Sequence, residues 1–197
     1  MIKNIIFDLG NVLVRVDFAR SKKLLLSAGV KEEDLKRFFN KKIRNDFELG
    51  RISTSEFMDR AYIELGRNVT KTKLKKLFVD MFEEIPEMKR FLKQLAKEKK
   101  YRLYILSNTN PLHFNYCRKR FKYINLVDKF ILSYKIKMVK PDKRVFKTVL
   151  KNFNLVPSET LFVDDLVENC KAAEDTGIKT ICYRNYSSFI KRFEKLC

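Results

Sequence analysis

The chain holds one histidine, five glycines, four prolines and four cysteines in 197 residues, and its 24 acidic side chains are outnumbered by 43 lysines and arginines. Each shortage removes a class of protein. Cys117, Cys170, Cys182 and Cys197 form no CxxC pair and have no histidine beside them, so neither a zinc site nor a redox dithiol is predicted, and reduced thiols are expected. The single histidine, His113, has no serine or cysteine placed to pair with it, which argues against a nucleophile–histidine triad. No window is apolar for the length of a bilayer crossing, and the first residues read as a strand rather than as a basic segment leading into a long apolar one. A cytoplasmic protein with no membrane partner is the expectation. The chain also lacks internal repeats and low-complexity linkers.

What the chain has in excess is positive charge, a net +19. Long-range attraction of that size would draw phosphate esters, nucleic acid or acidic surfaces. Most lysines, however, lie in mixed stretches such as Lys71-Thr72-Lys73-Leu74-Lys75-Lys76, which read as solvated helix faces. No basic run carries the interleaved aromatics of a single-strand binder, so a nucleic-acid partner is not expected.

Apolar residues make up 45% of the chain, enough to bury a sizeable interior. Short apolar runs at residues 3–8, 101–107, 129–133, 159–164 and 179–183 alternate, in the later part, with helical periodicity. This rhythm predicts an α/β fold with a Rossmann-like parallel sheet and helices on both faces. Val145, Val149 and Phe153 share one stripe of a helix, and Gly177 is placed to end another. Residues of about 15 to 87 break the rhythm. They contain no convincing strand, but Leu35, Phe38 and Phe39, and Leu74, Leu77, Phe78 and Met81, have helical spacing. Ser53-Thr54-Ser55-Glu56 has the form of a capping box, and Gly50 and Gly66 punctuate the turns. The expectation is a core of residues 1–14 and 88–197 interrupted by a helical cap, 15–87. Because the insertion leaves just after the first strand, it should lie over the carboxyl edge of the sheet, where ligands bind in such folds.

Four segments end or turn at that edge: Phe7-Asp8-Leu9-Gly10-Asn11, Leu106-Ser107-Asn108-Thr109, Val139-Lys140-Pro141 and Phe162-Val163-Asp164-Asp165. Each alone is ordinary, since a strand ending in aspartate is often only a helix cap. In this order they supply what attack on phosphorus needs: a fixed nucleophile, cations to offset oxygen charge, and donors to hold the oxygens. Asp8 is the candidate nucleophile. Asp164 and Asp165 suit Mg²⁺, a hard cation that prefers oxygen ligands. Ser107 and Asn108 offer a hydroxyl and turn groups to the phosphate, and Lys140 offers a point charge.

These motifs resemble those of the haloacid dehalogenase-like hydrolase superfamily with a helical cap, over essentially the whole chain. Within it they are similar to bacterial sugar-phosphate phosphatases of the α-D-glucose-1-phosphate phosphatase type. The resemblance implies that Asp8 is phosphorylated during turnover and that Asp165 ligates Mg²⁺, with Asp164 in or beside that shell. It further implies that Gly10 adds its backbone carbonyl, that Ser107 and Lys140 grip the phosphoryl oxygens, that Asn108 helps shape the same pocket, and that Asn169 orders a metal-bound water. The implied substrate is a small phosphorylated metabolite, a sugar phosphate first.

One position departs from the pattern. Most phosphatases of this superfamily carry a second aspartate two residues after the nucleophile, as acid and base, and here that position is Gly10. Loss of a positioned acid is worth about 10² to 10⁴ in rate, which favours sugar 1-phosphates, whose anomeric leaving group needs a proton least. Asp17 or a metal-ordered water is the alternative base, though the plainer role of Asp17 is a polar residue at the hinge of the cap. His113, Phe18, Phe47 and Tyr116 are possible pocket residues whose plainer role is packing. Two other functions fit the same residues: a dehalogenase, in which Asp8 attacks carbon and the Asp164-Asp165 pair has no task, and a weakly catalytic anion- or nucleic-acid-binding protein, motivated by Gly10 and the net charge.

Overall fold

The computed structural model describes residues 1–39 and 42–197; Asn40 and Lys41, within the expected helical stretch, lie outside the described residues. In chain order the elements are β1 (Asn4–Phe7), β2 (Val14–Val16), α1 (Phe18–Ser27), α2 (Glu32–Phe39), α3 (Lys42–Glu48), α4 (Thr54–Glu64) and α5 (Lys71–Val79). There follow β3 (Phe82–Glu84), α6 (Pro86–Glu98), β4 (Arg102–Ser107), α7 (Pro111–Arg120), β5 (Lys129–Leu132) and α8 (Ser133–Ile136). The chain ends with α9 (Lys143–Asn152), β6 (Thr160–Asp164), α10 (Val167–Glu174), β7 (Lys179–Cys182) and α11 (Tyr186–Leu196).

Five strands form one parallel sheet in the order β5-β4-β1-β6-β7. Strand β1 is central and wholly buried, and this is why its sequence is a continuous apolar run rather than an alternating one. Ile5 and Phe7 join the cluster on one face with Met88, Leu92 and Phe189, while Ile6 joins the other with Phe146 and Phe162. The one polar side chain in the strand, Asn4, is satisfied inside the protein: it donates to Thr160 Oγ1 at 3.3 Å and accepts from Arg102 at 2.9 Å. Phe7 is in register with Ile105 of β4 and Val163 of β6. Asp8, Ser107 and Asp164 therefore leave the sheet at the same edge, which is the purpose this register serves for the site.

Helices α1 to α5 pack about a separate apolar cluster that includes Leu25, Phe38, Phe47, Phe57, Leu74 and Phe78. Phe47 and Phe57 stack with ring centroids 4.3 Å apart. The capping box at the start of α4 is formed both ways, Glu56 N–H donating to Ser53 Oγ and Ser53 N–H to the Glu56 carboxylate. The expectation of no strand in the insertion fails at its ends, because β2 and β3 pair antiparallel, with Val16 opposite Phe82. Each is only three residues long, and neither is long enough to display a pattern before its partner is known.

The end of α3 is tied to the sheet edge. Lys137 donates to the Gly50 carbonyl, and Ser133 Oγ lies 2.7 Å from the Glu48 carbonyl. Gly50 has φ +60°, and a Cβ there would stand 2.3 Å from the Tyr134 carbonyl oxygen. Backbone against backbone cannot give way cheaply. Gly50→Ala is expected to cost about 1 to 3 kcal/mol and lower the melting temperature by roughly 2 to 12 °C, read by thermal denaturation. An unchanged melt would mean that α3 is not held to the core in this way.

Candidate active site

Asp8 lies one residue past the end of β1, its backbone N–H held by the Val163 carbonyl at 2.8 Å. Its side chain is 13% exposed and sits 2.9 Å from the ammonium of Lys140, which is 2% exposed. Lys140 also meets Asp164 Oδ2 at 2.6 Å and donates to the Leu106 carbonyl at 2.9 Å. All three N–H bonds of the ammonium are thus occupied. In this arrangement Lys140 orients Asp8 and Asp164, and contact with any further oxygen requires it to give up one of the three acceptors.

Asp164 is fully buried. Its other oxygen accepts from Leu166 N–H and from the Asn169 side chain, each at 2.9 Å. Asn169 thus holds the carboxylate itself. Asp165 accepts from Asn11 at 3.1 Å. Asp8, Asp164 and Asp165 each present a carboxylate oxygen, and the three lie within 4.8 Å of one another. Two of the three carboxylates pair with the one ammonium, and Asp165 stands beside them. Burial pushes the Asp8 carboxyl up to about 6 against the pull of Lys140, and Asp164 adds to the rise. Burial raises Asp165 too, partly offset by Asn11. On Lys140 burial acts downward, but Asp8 and Asp164 outweigh it and hold the ammonium above its ordinary value. An all-oxygen donor set left with excess negative charge fits a hard divalent cation.

Ser107 ends β4, is 4% exposed and lines the chamber above the site. Asn108 lines it as well, but its side-chain amide is engaged both ways with the backbone of Lys140, donating to the carbonyl at 2.8 Å and accepting from the N–H at 2.9 Å. Its work is to join the β4 loop to the lysine loop. Gly10 also lines the chamber, and a Cβ on it would come within 3.2 Å of Val16 Cγ2. The place of a longer side chain at position 10 is therefore filled from β2. Asp17 does not take it: its carboxylate caps α1, accepting from Arg20 N–H at 2.8 Å. His113 lines the chamber from α7, edge-on to Phe82 at 5.2 Å, and burial, helped by Arg44, pushes its pKa down to about 4. It is a neutral wall residue. Phe18 and Phe47 line the chamber, whereas Tyr116 belongs to a groove between α5 and α7.

Sequence reasoning passed over Asn11, Arg44 and Glu48. Asn11 carried a signal, because an asparagine after glycine tolerates the left-handed backbone, here φ 53°, that turns its amide toward Asp165 and Val16 N–H. Arg44 and Glu48, one turn apart on α3, carried none: their place over the Ser107 loop depends on how α3 meets α8.

The chain belongs to the haloacid dehalogenase-like hydrolase family, whose pattern matches residues 5–183. Among its relatives is the D-ribitol-5-phosphate phosphatase of Bacteroides thetaiotaomicron, 32% identical over 188 residues and 91% of each chain. A crystal structure of a family enzyme from the same organism, in complex with magnesium and inorganic phosphate, superposes with a TM-score of 0.85 at 29% identity, covering 96% of this chain and 99% of the other. A HAD-like hydrolase of Porphyromonas gingivalis also superposes at 0.85, with 30% identity over 100% and 98% of the two chains.

Proposed function

We propose that this protein is a Mg²⁺-dependent phosphatase that transfers the phosphoryl group of a small sugar or polyol phosphate to Asp8 and then to water. The observation that carries the reading is the convergence of carboxylate oxygens of Asp8, Asp164 and Asp165 within 4.8 Å of one another, with buried Lys140 paired to the first two. The relatives support it, one being named for a sugar-alcohol phosphate and another having been crystallised with magnesium and phosphate. Asp8, Asp164, Asp165 and the Gly10 carbonyl would hold the Mg²⁺, which when bound supplies positive charge to the phosphoryl oxygens. Lys140 keeps the Asp8 carboxylate ionised and aimed. Ser107 binds a phosphoryl oxygen, Asn108 fixes the loop that presents it, and Asn169 holds Asp164 in place.

Residues 15–87 serve as a cap over the core formed by 1–14 and 88–197. The chamber it roofs, walled in part by Phe38, Phe47, Phe57 and Phe78 and about 120 Å³ in volume, suits a small leaving group. Sugar 1-phosphates are among the substrates this reading admits. With all four cysteines free, a cytoplasmic setting accords with it.

Phosphate release measured over sugar phosphates, polyol phosphates and nucleotides tests the reading. Turnover of the small esters in Mg²⁺, falling by about 10²-fold or more in excess chelator, is the expected result. Halide release from 2-haloacids that is indifferent to chelator would replace the phosphatase with a dehalogenase.

A further inference from the structure

The chamber is lined in one part by phenylalanines of the helical insertion, Phe38, Phe47, Phe57 and Phe78 among them, and in another by the polar loop of residues 107–110. Its ionisable residues are Arg44, Glu48 and His113. Two of the three are engaged. The Arg44 guanidinium stands over the Phe39 ring at 5.1 Å and donates to the Phe39 carbonyl at 3.3 Å. His113 Nδ1 accepts from Asn110 at 3.0 Å. The Glu48 carboxyl, by contrast, has no hydrogen bond or ion pair among the described residues. A half-buried carboxyl with no hydrogen bond of its own, one turn from Arg44, keeps its oxygens free to meet a ligand in the chamber.

Its backbone is fixed where a leaving group would pass. Ser133 Oγ, at the start of α8, touches the Glu48 carbonyl at 2.7 Å and accepts from Thr109 N–H at 2.9 Å, so Glu48 is tied through one hydroxyl to the loop that begins Ser107-Asn108. Burial raises its carboxyl above the ordinary glutamate value, with Arg44 pulling it back. Such a group holds a proton more readily than a solvated one.

We propose that Glu48 is the acid and base of the reaction, acting from the cap in place of a side chain at Gly10. This rests on the phosphatase reading. As the bond from Asp8 to phosphorus forms and the bond to the leaving oxygen breaks, the Glu48 proton passes to that oxygen and the alcohol departs. Water then attacks the phosphoryl group, giving its proton to the Glu48 carboxylate, and Asp8 and inorganic phosphate are released. An ordinary alcohol can leave on this scheme, so substrates extend beyond anomeric phosphates to polyol phosphates.

The test is Glu48→Gln, assayed in Mg²⁺ with a polyol phosphate and with p-nitrophenyl phosphate, whose phenolate leaves without a proton. The variant is expected to lose about 10² to 10⁴ in kcat on the polyol phosphate. On p-nitrophenyl phosphate it should keep a rapid burst of one phenolate per enzyme, followed by slow turnover as the phosphoenzyme accumulates. Loss of the p-nitrophenolate burst along with the turnover, or an unchanged rate on the polyol phosphate, would overturn the proposal. Glu48→Ala with added formate gives an independent check, since a free carboxylic acid should restore part of the polyol rate if a proton is what is missing, and no restoration counts against it. Failure of the phosphatase reading would look different, because the unsubstituted protein would then give neither burst nor turnover.

Discussion

Asp8→Asn is expected to abolish phosphate release, by at least about 10³-fold in kcat, while making the metal-free protein more resistant to heat. The loss follows because an amide cannot attack phosphorus at a useful rate. The gain follows from the charge imbalance in the cluster. Burial, with Asp164 adding to it, lifts the Asp8 carboxyl to about 6 from an ordinary 3.8. A group whose folded pKa is raised contributes stability that is complete below its unfolded pKa and is lost as pH rises through the folded one. Without metal, that contribution is present near pH 4 and gone above about 6. Asparagine carries no charge at either pH, so the variant should melt higher than the parent near pH 7.5 and lose that advantage near pH 4. Melting curves in chelator at the two pH values, beside a phosphate-release assay, measure both halves. Full activity in the variant would remove Asp8 from the chemistry, and a lower melting point at pH 7.5 would show that its charge is not a burden on the fold.

Lys140→Met should have the opposite effect on stability. The ammonium is 2% exposed and spans Asp8 at 2.9 Å and Asp164 at 2.6 Å, while Asp164 itself is fully buried. Removing one partner of a buried ionic cluster leaves uncompensated charge and typically costs about 3 to 5 kcal/mol, a large share of the 5 to 15 kcal/mol that holds a protein together. For a chain of this size that is a fall of roughly 6 to 20 °C in melting temperature. Part of it should return on adding Mg²⁺, because a divalent cation among the three carboxylates opposes the same repulsion. It should also return on lowering the pH, since the exposed imbalance is relieved by protonation. Arginine at this position is not expected to rescue: three short contacts at one nitrogen suit an ammonium, and a planar guanidinium is too wide for a site with so little free space. A melt unchanged from the parent would mean that the lysine is not the counter-ion of this pair of aspartates.

Whereas the Lys140 loop follows α8, the candidate-site loops that carry Asp8, Ser107 and Asp164 were legible in the sequence because each follows a strand buried on both faces. Such a strand must be written in apolar residues, so Ile5-Ile6-Phe7 and Leu161-Phe162-Val163 stand out, and the polar residues at which they stop, Asp8 and Asp164-Asp165, are conspicuous for the same reason. Chain order then places them on the sheet, since the parallel topology brings every carboxyl end to one edge. The helices of the insertion were legible through their apolar spacing, and the α4 capping box through its Ser-x-x-Glu form. Strands β2 and β3 were not, because three residues are too few to declare a period.

Local sequence thus determined the five strands of the parallel sheet, the helical character of the insertion, the carboxylates and the absence of an acid at position 10. Only the tertiary structure decided that Lys140 is occupied by Asp8, Asp164 and a carbonyl, that Asn108 braces the lysine loop, that Val16 comes up beside Gly10, and that Glu48 lines the chamber with no hydrogen bond or ion pair among the described residues. Those facts come from pairs far apart in the chain, such as Ser133 with Glu48 or Asn11 with Asp165. Periodicity reports which way a side chain faces within its own element, and it says nothing of what a different element has brought to meet it.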